Sequence, residues 1–549
     1  MWSTITIGLF TCGLRLLYQM SIFWIDRRSS YTLSIVGRDV GIFLLLLGCI
    51  LFVPLLVSLG YREMYSALSF LIGSGMSAAI GGLGYWTCRD APGLTQWQGM
   101  LVAAVGWLAV AAVGAVPLIA AAYLTPPEVA QSFVPAGESY TSSLYNFRNP
   151  LHAFFESMSA FTTTGLTMSV HEPSVGHGML LYRSLGQWVG GAGMIVLALA
   201  ILRTHGTAGL SLYRAEGRST KIRPNIVKTT RVLWRVYVGL TLGVVVYLAV
   251  GTFLIVPGYG LEATLFDAIN HAMTGQSTGG FSTLDDSIAG YGSYAMDLLY
   301  IPVMLLGAIA LPVYYGIINT GTLRVLWKDV QARTLGVMLL VGTPLLIGLL
   351  WTVPAVADPV REGLFQFATA LSTTGWQTSA IGDWHSGAVL FIVFGAMIVG
   401  GSEGATVGGI KLIRIYVLMR GIRWQIVRNF LPQHATVRFR LGTRSLNRDN
   451  MYDEISQAAV LTGLYFLLMI ASTVYLTYLI EPSYSLADII FESATAQSTV
   501  GLSTGVTNPD MNPWAEGILI FQMWIGRLEI FPVFILLRAL MIGTKPARP

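Results

Sequence analysis

Four short stretches of small polar residues carry the chemistry that this sequence offers. They read FFESMSAFTTTGLT (154–167), AINHAMTGQSTGGFST (268–283), FQFATALSTTGWQT (365–378) and FESATAQSTVGLST (491–504). Aligned on Gly165, Gly279, Gly375 and Gly501, they place Thr163-Thr164, Ser277-Thr278, Thr373-Thr374 and Thr499-Val500 just before each glycine. Nine positions upstream stand Glu156, Asn270, Gln366 and Glu492. Short hydroxyls and backbone carbonyls are oxygen ligands for a cation that has shed its water. A glycine without Cβ takes backbone angles closed to other residues and lets the chain approach an axis. One such patch would pass for a helix-packing motif. Four, spaced roughly 95–125 residues apart, form an internal repeat.

A second candidate is GGSEGATVGG, with Gly400, Gly401, Gly404, Gly408 and Gly409 around Ser402, Glu403, Ala405 and Thr406. Each glycine costs a helix interior about 1 kcal/mol relative to alanine, so this run breaks its span or kinks it for close packing. Irregular backbone at membrane depth survives only beside a cavity or inside protein. Glu403 within it is a cation attractor, a partner for a nearby base, or a gating acid. Arg527 lies inside an apolar run, where a charge is costly and is paired, functional or snorkelling to the interface. A Glu403–Arg527 contact would satisfy both charges. Glu529, two positions on, points to another helix face.

The elements that must position these residues are membrane helices. Of 549 residues 54% are hydrophobic and 11% charged, with a mean hydropathy of +0.63; a soluble domain carries about 25% charged residues. Apolar spans of about 20 residues fit a bilayer and exclude a transmembrane β-barrel. Ten are predicted, over 37–60, 66–88, 98–124, 176–202, 232–257, 294–320, 334–357, 386–418, 456–480 and 514–542. Residues 2–24, with Arg15 in their midst, are an eleventh span or an interfacial helix.

Charge separates the loops. Arg203, Arg214, Arg218, Lys221, Arg223, Lys228 and Arg231 face one acid, Glu216; a second basic stretch from Lys411 to Arg448 carries no acid. The alternate connections hold acids such as Glu138, Asp285, Asp286, Asp383 and Asp510, and each contains one of the four repeats. The positive-inside rule puts the basic loops in the cytoplasm and the repeats outside. Topology alone accounts for the basic loops, or they also dock a cytoplasmic partner. Each repeat is then a span, a re-entrant segment and a span. A short helix pointing inward would direct its partial negative end at the axis and favour cations. No HExxH motif and no Walker A loop occurs, and GLSTG (501–505) lacks the strand-to-helix turn of a nucleophile elbow. The expectation is not an enzyme. Thr499-Val500-Gly501 repeats the start of the TVGYG loop of potassium-channel filters, without its Tyr-Gly continuation.

With these segments, WVGGAGMIVLALAIL (188–202), LYRAEG (212–217), GGSEGATVGGIKLIR (400–414) and MWIGRLEIFPV (523–533) occur in one order. On them the chain from about residue 37 resembles the Trk/Ktr/HKT superfamily of potassium transport proteins, most of all the bacterial TrkH type. The resemblance implies an all-α polytopic fold of four pseudo-fourfold helix–pore loop–helix repeats around one ion pore, preceded by two extra transmembrane helices. On this sequence those are an N-terminal segment 1–34, the two extra helices in 35–95, and pore repeats at 96–215, 216–325, 326–445 and 446–549. It implies potassium as the transported ion, a filter at the twelve residues named above, and an intramembrane gate at 400–409 with Arg527 below the filter. It further implies a homodimer in a bacterial inner membrane and a cytoplasmic TrkA-like subunit that binds ATP, ADP or NAD, no nucleotide or nucleic acid being bound by this chain. Sodium- or proton-coupled symport on the same scaffold is the alternative.

Overall fold

The computed structural model describes residues 27–135, 137–201, 226–430, 439–441, 444–446 and 448–543. The candidate span at 2–24, most of the basic stretch 203–231 and the LYRAEG motif lie outside the described residues.

Among the described residues, six helices are long and apolar enough to cross a bilayer: Tyr31–Gly60, Met64–Cys88, Trp97–Leu124, Thr230–Ile255, Val330–Leu350 and Asn450–Leu479. The first two join through small residues. A Cβ on Gly41 would lie 2.7 Å from the Gly81 carbonyl, so the backbones touch. Ser74 and Ser77 hydroxyls donate to the Gly48 and Leu44 carbonyls across the same seam, at 2.9 and 2.6 Å. In lipid such contacts replace the hydrophobic effect as the force between helices.

The remaining helices form four units of like construction. Each has a long span, a short helix, an irregular loop and a second span. The short helices are Pro150–Phe161, Leu261–Gln276, Pro359–Leu371 and Leu486–Ser498, hereafter pore helices 1 to 4. With 12, 16, 13 and 13 residues they rise about 18 to 24 Å, short of the roughly 30 Å hydrocarbon core. Three begin at side-chain caps: Asn149 before Pro150, Asp358 before Pro359, and a Ser485–Asp488 capping box. Proline fits the first helical turn because its missing N–H would have had no partner there.

Two spans expected to run unbroken are bent. The second span of unit 2 divides into Tyr294–Ala308 and Leu311–Thr320 at 96°, and that of unit 4 into Pro513–Arg527 and Phe531–Met541 at 113°. Pro312 and Pro532 sit in the first turn of the second halves, and a proline pushes its predecessor out of helical angles. Glu529 and Ile530 take positive φ, 57° and 73°. In unit 3 the glycine run separates Gly387–Val399 from Leu412–Arg428. Unit 1 keeps a single helix, His177–Ile201. A short antiparallel hairpin, Phe439–Leu441 with Arg444–Leu446, sits in the basic connection after unit 3. Among the described residues the architecture is otherwise all-helical.

Candidate functional site

All four pore helices end in the same way. After pore helix 1 the Thr163 N–H reaches the Ala160 carbonyl and the Thr164 N–H the Ser159 carbonyl, at 3.0 and 2.9 Å. The pattern repeats at Thr278 and Gly279, at Thr373 and Thr374, and at Thr499 and Val500. This is the Schellman turn, whose left-handed position usually holds glycine. Here it holds threonine each time, with φ of 54°, 52°, 54° and 51° at Thr163, Thr278, Thr373 and Thr499. Left-handed backbone costs a non-glycine residue about 1–2 kcal/mol, and a β-branched one is a true outlier there. Such strain persists where the side chain is needed.

Two residues beyond each threonine is a glycine with positive φ: Gly165 (94°), Gly280 (80°), Gly375 (86°) and Gly501 (97°). The expected register of the second segment is therefore wrong by one. Gly280, not Gly279, matches the other three; Gly279 takes the place of Thr164, Thr374 and Val500, and Ser277 falls at the end of its pore helix. The residue nine before the glycine is then His271 rather than Asn270.

The corrected register closes a ring. A Cβ on Gly165 would lie 2.3 Å from the Gly279 carbonyl oxygen, on Gly280 2.0 Å from that of Thr374, on Gly375 1.9 Å from that of Val500, and on Gly501 2.4 Å from that of Thr164. Each unit's glycine thus packs on the carbonyl just before the next unit's glycine, in the order 1, 2, 3, 4, 1. Only glycine allows both the close approach and the positive φ. Gln187, which the sequence did not single out, fixes unit 2: its amide donates to the Gly279 carbonyl at 2.6 Å and accepts from the Phe281 N–H at 3.1 Å.

The four ring glycines floor a cavity of ≈ 510 Å³, whose wall includes Glu172, Asp285 and Asp286. Carboxylates such as Asp285 and Asp286 on that wall attract cations. Burial pushes the Glu172 carboxyl well above the usual carboxylate range, against the opposing pull of the Arg183 guanidinium.

On the other side of the ring lies the glycine-rich segment. Thr406 Oγ1 donates to the carbonyls of Gln276 and Gly307 at 3.1 and 3.3 Å and lies 3.3 Å from Thr278 Oγ1. The Gly408 N–H donates to Thr373 Oγ1 at 3.1 Å. A Cβ on Gly408 would stand 1.8 Å from the Ser498 carbonyl and 2.3 Å from Thr499 Oγ1. The segment therefore seats on the threonines of units 2, 3 and 4. Arg527, 2% exposed, donates to the carbonyls of Thr406 at 2.6 Å and Gly190 at 2.9 Å. It bridges the segment to unit 1.

The expected Glu403–Arg527 contact is not formed. The guanidinium donates to backbone carbonyls through its two terminal nitrogens while its Nε has no hydrogen-bond partner, and the Glu403 N–H donates to Gln331 Oε1 at 2.7 Å. Glu529, rejected as a partner for Arg527, instead pairs with Arg414 at the start of the helix after the segment. Neither Gln187 nor the Arg414–Glu529 pair left a motif in the sequence. A lone polar residue in an apolar span was the available signal for the first, and charges flanking two helix breaks for the second.

The sequence model of the TrkH family, described as a cation transport protein, matches residues 127–543. The chain is 30% identical over 515 residues to the Trk system potassium uptake protein TrkH of Escherichia coli (strain K12), covering 91% of this chain and 97% of that one. It is 28% identical over 501 residues to an uncharacterized cation transporter of Methanocaldococcus jannaschii, covering 91% and 94%. The crystal structure of the potassium transporter TrkH from Vibrio parahaemolyticus matches with a TM-score of 0.75 at 26% identity, over 92% of this chain and 98% of that one.

Proposed function

The chain belongs to the TrkH family of cation transport proteins, and from that premise we propose that it takes up potassium through the ring of four glycine-bearing loops. It is a membrane ion transporter of the Trk type, not an enzyme. The observation that carries the finer reading is the closed cycle of glycine-to-carbonyl contacts, Gly165 to Gly279, Gly280 to Thr374, Gly375 to Val500 and Gly501 to Thr164. Four equivalent backbones meeting at one axis offer stacked carbonyl layers, with four threonine hydroxyls as the innermost layer. Such a stack replaces the water of a monovalent cation. Acids in the outer cavity gather the ion, and dehydration follows at the ring.

In the same reading the segment 400–409 is the gate. It is seated on the inner threonines and held by Arg527, so flux requires it to leave. A separate cytoplasmic subunit of the TrkA kind, responding to ATP, ADP or NAD, would move it. The chain works as a homodimer in a bacterial inner membrane, basic loops inside and filter loops facing the periplasm. The support for these last points is the family and the loop charge.

Flux into proteoliposomes tests the reading, with potassium, rubidium, sodium and lithium offered in turn. Potassium and rubidium should pass ahead of sodium and lithium; equal passage of all four removes the filter. A reversal potential that moves with pH or with a sodium gradient would point to symport.

A further inference from the structure

Behind the ring, the four walls are not held alike. In unit 1 the Glu156 carboxylate accepts from Thr167 Oγ1 at 3.0 Å and from the Met168 N–H at 2.8 Å, two and three residues past the ring glycine. In unit 4 the Glu492 carboxylate accepts from Ser503 Oγ at 2.8 Å and the Thr504 N–H at 3.2 Å, the same two positions, and from the Thr507 N–H and hydroxyl. In unit 2 His271 Nε2 lies 3.0 Å from Ser282 Oγ and accepts from the Thr283 N–H at 3.5 Å. In each case a buried side chain on the pore helix, nine residues before the ring glycine, grips the loop as it leaves the ring. The helix and the descending loop thereby form one rigid bracket around the strained threonine–glycine turn.

Unit 3 departs. Gln366 is wholly buried, yet neither its Oε1 nor its Nε2 has a protein partner. Its loop is tied across to unit 2 instead: the Gln377 N–H donates to Ser287 Oγ at 3.1 Å and its carbonyl accepts from the Ala289 N–H at 3.2 Å.

We propose that Glu156, His271 and Glu492 are positioning residues for ion selectivity, holding three of the four filter walls at the spacing that fits potassium. The proposal rests on the filter reading above. Glu492 is the clean member, because its carboxylate is held by hydroxyls and N–H groups alone, whereas Glu156 also pairs with the buried Arg183 at 2.7 Å. Removing Glu156 would leave that guanidinium short of a partner. Glutamine at 492 keeps the volume but turns one oxygen into an NH₂ that confronts N–H donors. The fourth wall then relaxes, and the ring admits a smaller ion with its water less completely removed.

The test compares wild type, Glu492→Gln, Ser503→Ala and Gln366→Met as full chains in proteoliposomes, reading the potassium-over-sodium permeability ratio beside the melting temperature. Glu492→Gln should lower the ratio about tenfold, the equivalent of one charge-assisted hydrogen bond. Ser503→Ala, which removes one of the four donors that hold the carboxylate, should lower it about twofold to threefold, less than a full charge-assisted hydrogen bond because the other three remain, and keeps the test alive if the first variant does not fold. Gln366→Met should move the ratio least. A wild type that does not discriminate overturns the filter reading itself. A discriminating wild type whose ratio survives both Glu492→Gln and Ser503→Ala overturns the positioning role while leaving the filter intact. A lowered melting temperature at unchanged ratio counts as the same refutation, because a purely structural residue would behave so.

Discussion

The Arg527 guanidinium donates to the Thr406 carbonyl at 2.6 Å, which ties the last span of the fourth unit to the segment lying under the ring. Its second bond, to Gly190, makes the side chain a bridge between units 1 and 4 with the segment clamped between. The arginine thus acts on backbone, not on a carboxylate, and has no counter-ion among its hydrogen-bond partners.

Arg527→Ala is expected to open the path. Hydrogen bonds to a charged donor contribute about 1.5–3 kcal/mol each, so losing either one shifts a closed–open balance by at least about tenfold. Basal flux without any regulator should rise by that order in liposomes, with the potassium-over-sodium ratio retained. Unchanged or reduced flux would make the residue structural.

Gly408→Ala probes the same closed state by volume. The added methyl would stand 1.8 Å from the Ser498 carbonyl, inside any permitted contact, and that carbonyl belongs to pore helix 4 and cannot swing away. The segment must rise off the threonines, so basal flux increases while selectivity stays at the wild-type value. A variant that loses selectivity instead would place Gly408 in the filter.

Gly280→Ala decides the register. Its φ of 80° and the backbone carbonyl 2.0 Å from the new methyl leave no relief, so potassium-over-sodium discrimination should fall as far as it does in Gly501→Ala. At Gly279 the methyl meets the Gln187 side chain at 2.4 Å, and its φ is not positive. Gly279→Ala should cost less discrimination, measured in the same liposomes. The reverse order would restore the alignment on Gly279.

That register shows where reading the sequence stops. The repeat itself was legible, because four Ser/Thr/Gly loops at matching places in four span pairs have no ordinary packing explanation. The doublet Gly279-Gly280 offers two anchors, however, and residue type does not choose between them. The left-handed residue does, and it is threonine, the side chain least expected in that conformation. The breaks at 309–310 and 528–530 were nearly as hidden, since the apolar run continues through the first with Pro312 alone to mark it, and the second shows only Pro532 and the charges of Arg527 and Glu529. Pairing Glu403 with Arg527 followed charge, whereas Arg527 donates to backbone carbonyls of a kind that every residue carries. Contacts made by backbone leave no mark in a sequence.

Glu172 in the outer cavity makes stability depend on pH. Its carboxyl is held above the usual range by burial. Between the ordinary carboxyl value and the raised one, the folded protein keeps a proton that the unfolded chain has released, so stability falls as pH rises through that window. Glu172→Gln imitates the neutral form. Melting temperatures in detergent should favour the variant near neutral pH, and the advantage should shrink as pH falls to about 4, where the unfolded carboxyl is also protonated. A difference that is constant across pH would remove the shift as its cause. Arg183 keeps its partner Glu156 at 2.7 Å, so the variant does not strand that charge.

Thr499→Gly sets stability against selectivity. Glycine tolerates the φ of 51° that costs threonine about 1–2 kcal/mol, and Thr499 Oγ1 has no hydrogen-bond partner in the protein that the change would abandon. The variant should therefore melt at or above the wild-type temperature, despite the added freedom glycine gives the unfolded chain. If the hydroxyl is one quarter of the innermost ion layer, the same change should lower potassium-over-sodium discrimination, and Thr163→Gly, equally strained at 54° and equally without a partner, should do the same. Strain that persists in four units, at a position where glycine would relieve it, is accounted for if the side chain serves the ion. Both variants melting lower with selectivity intact would show that the threonines are kept for packing.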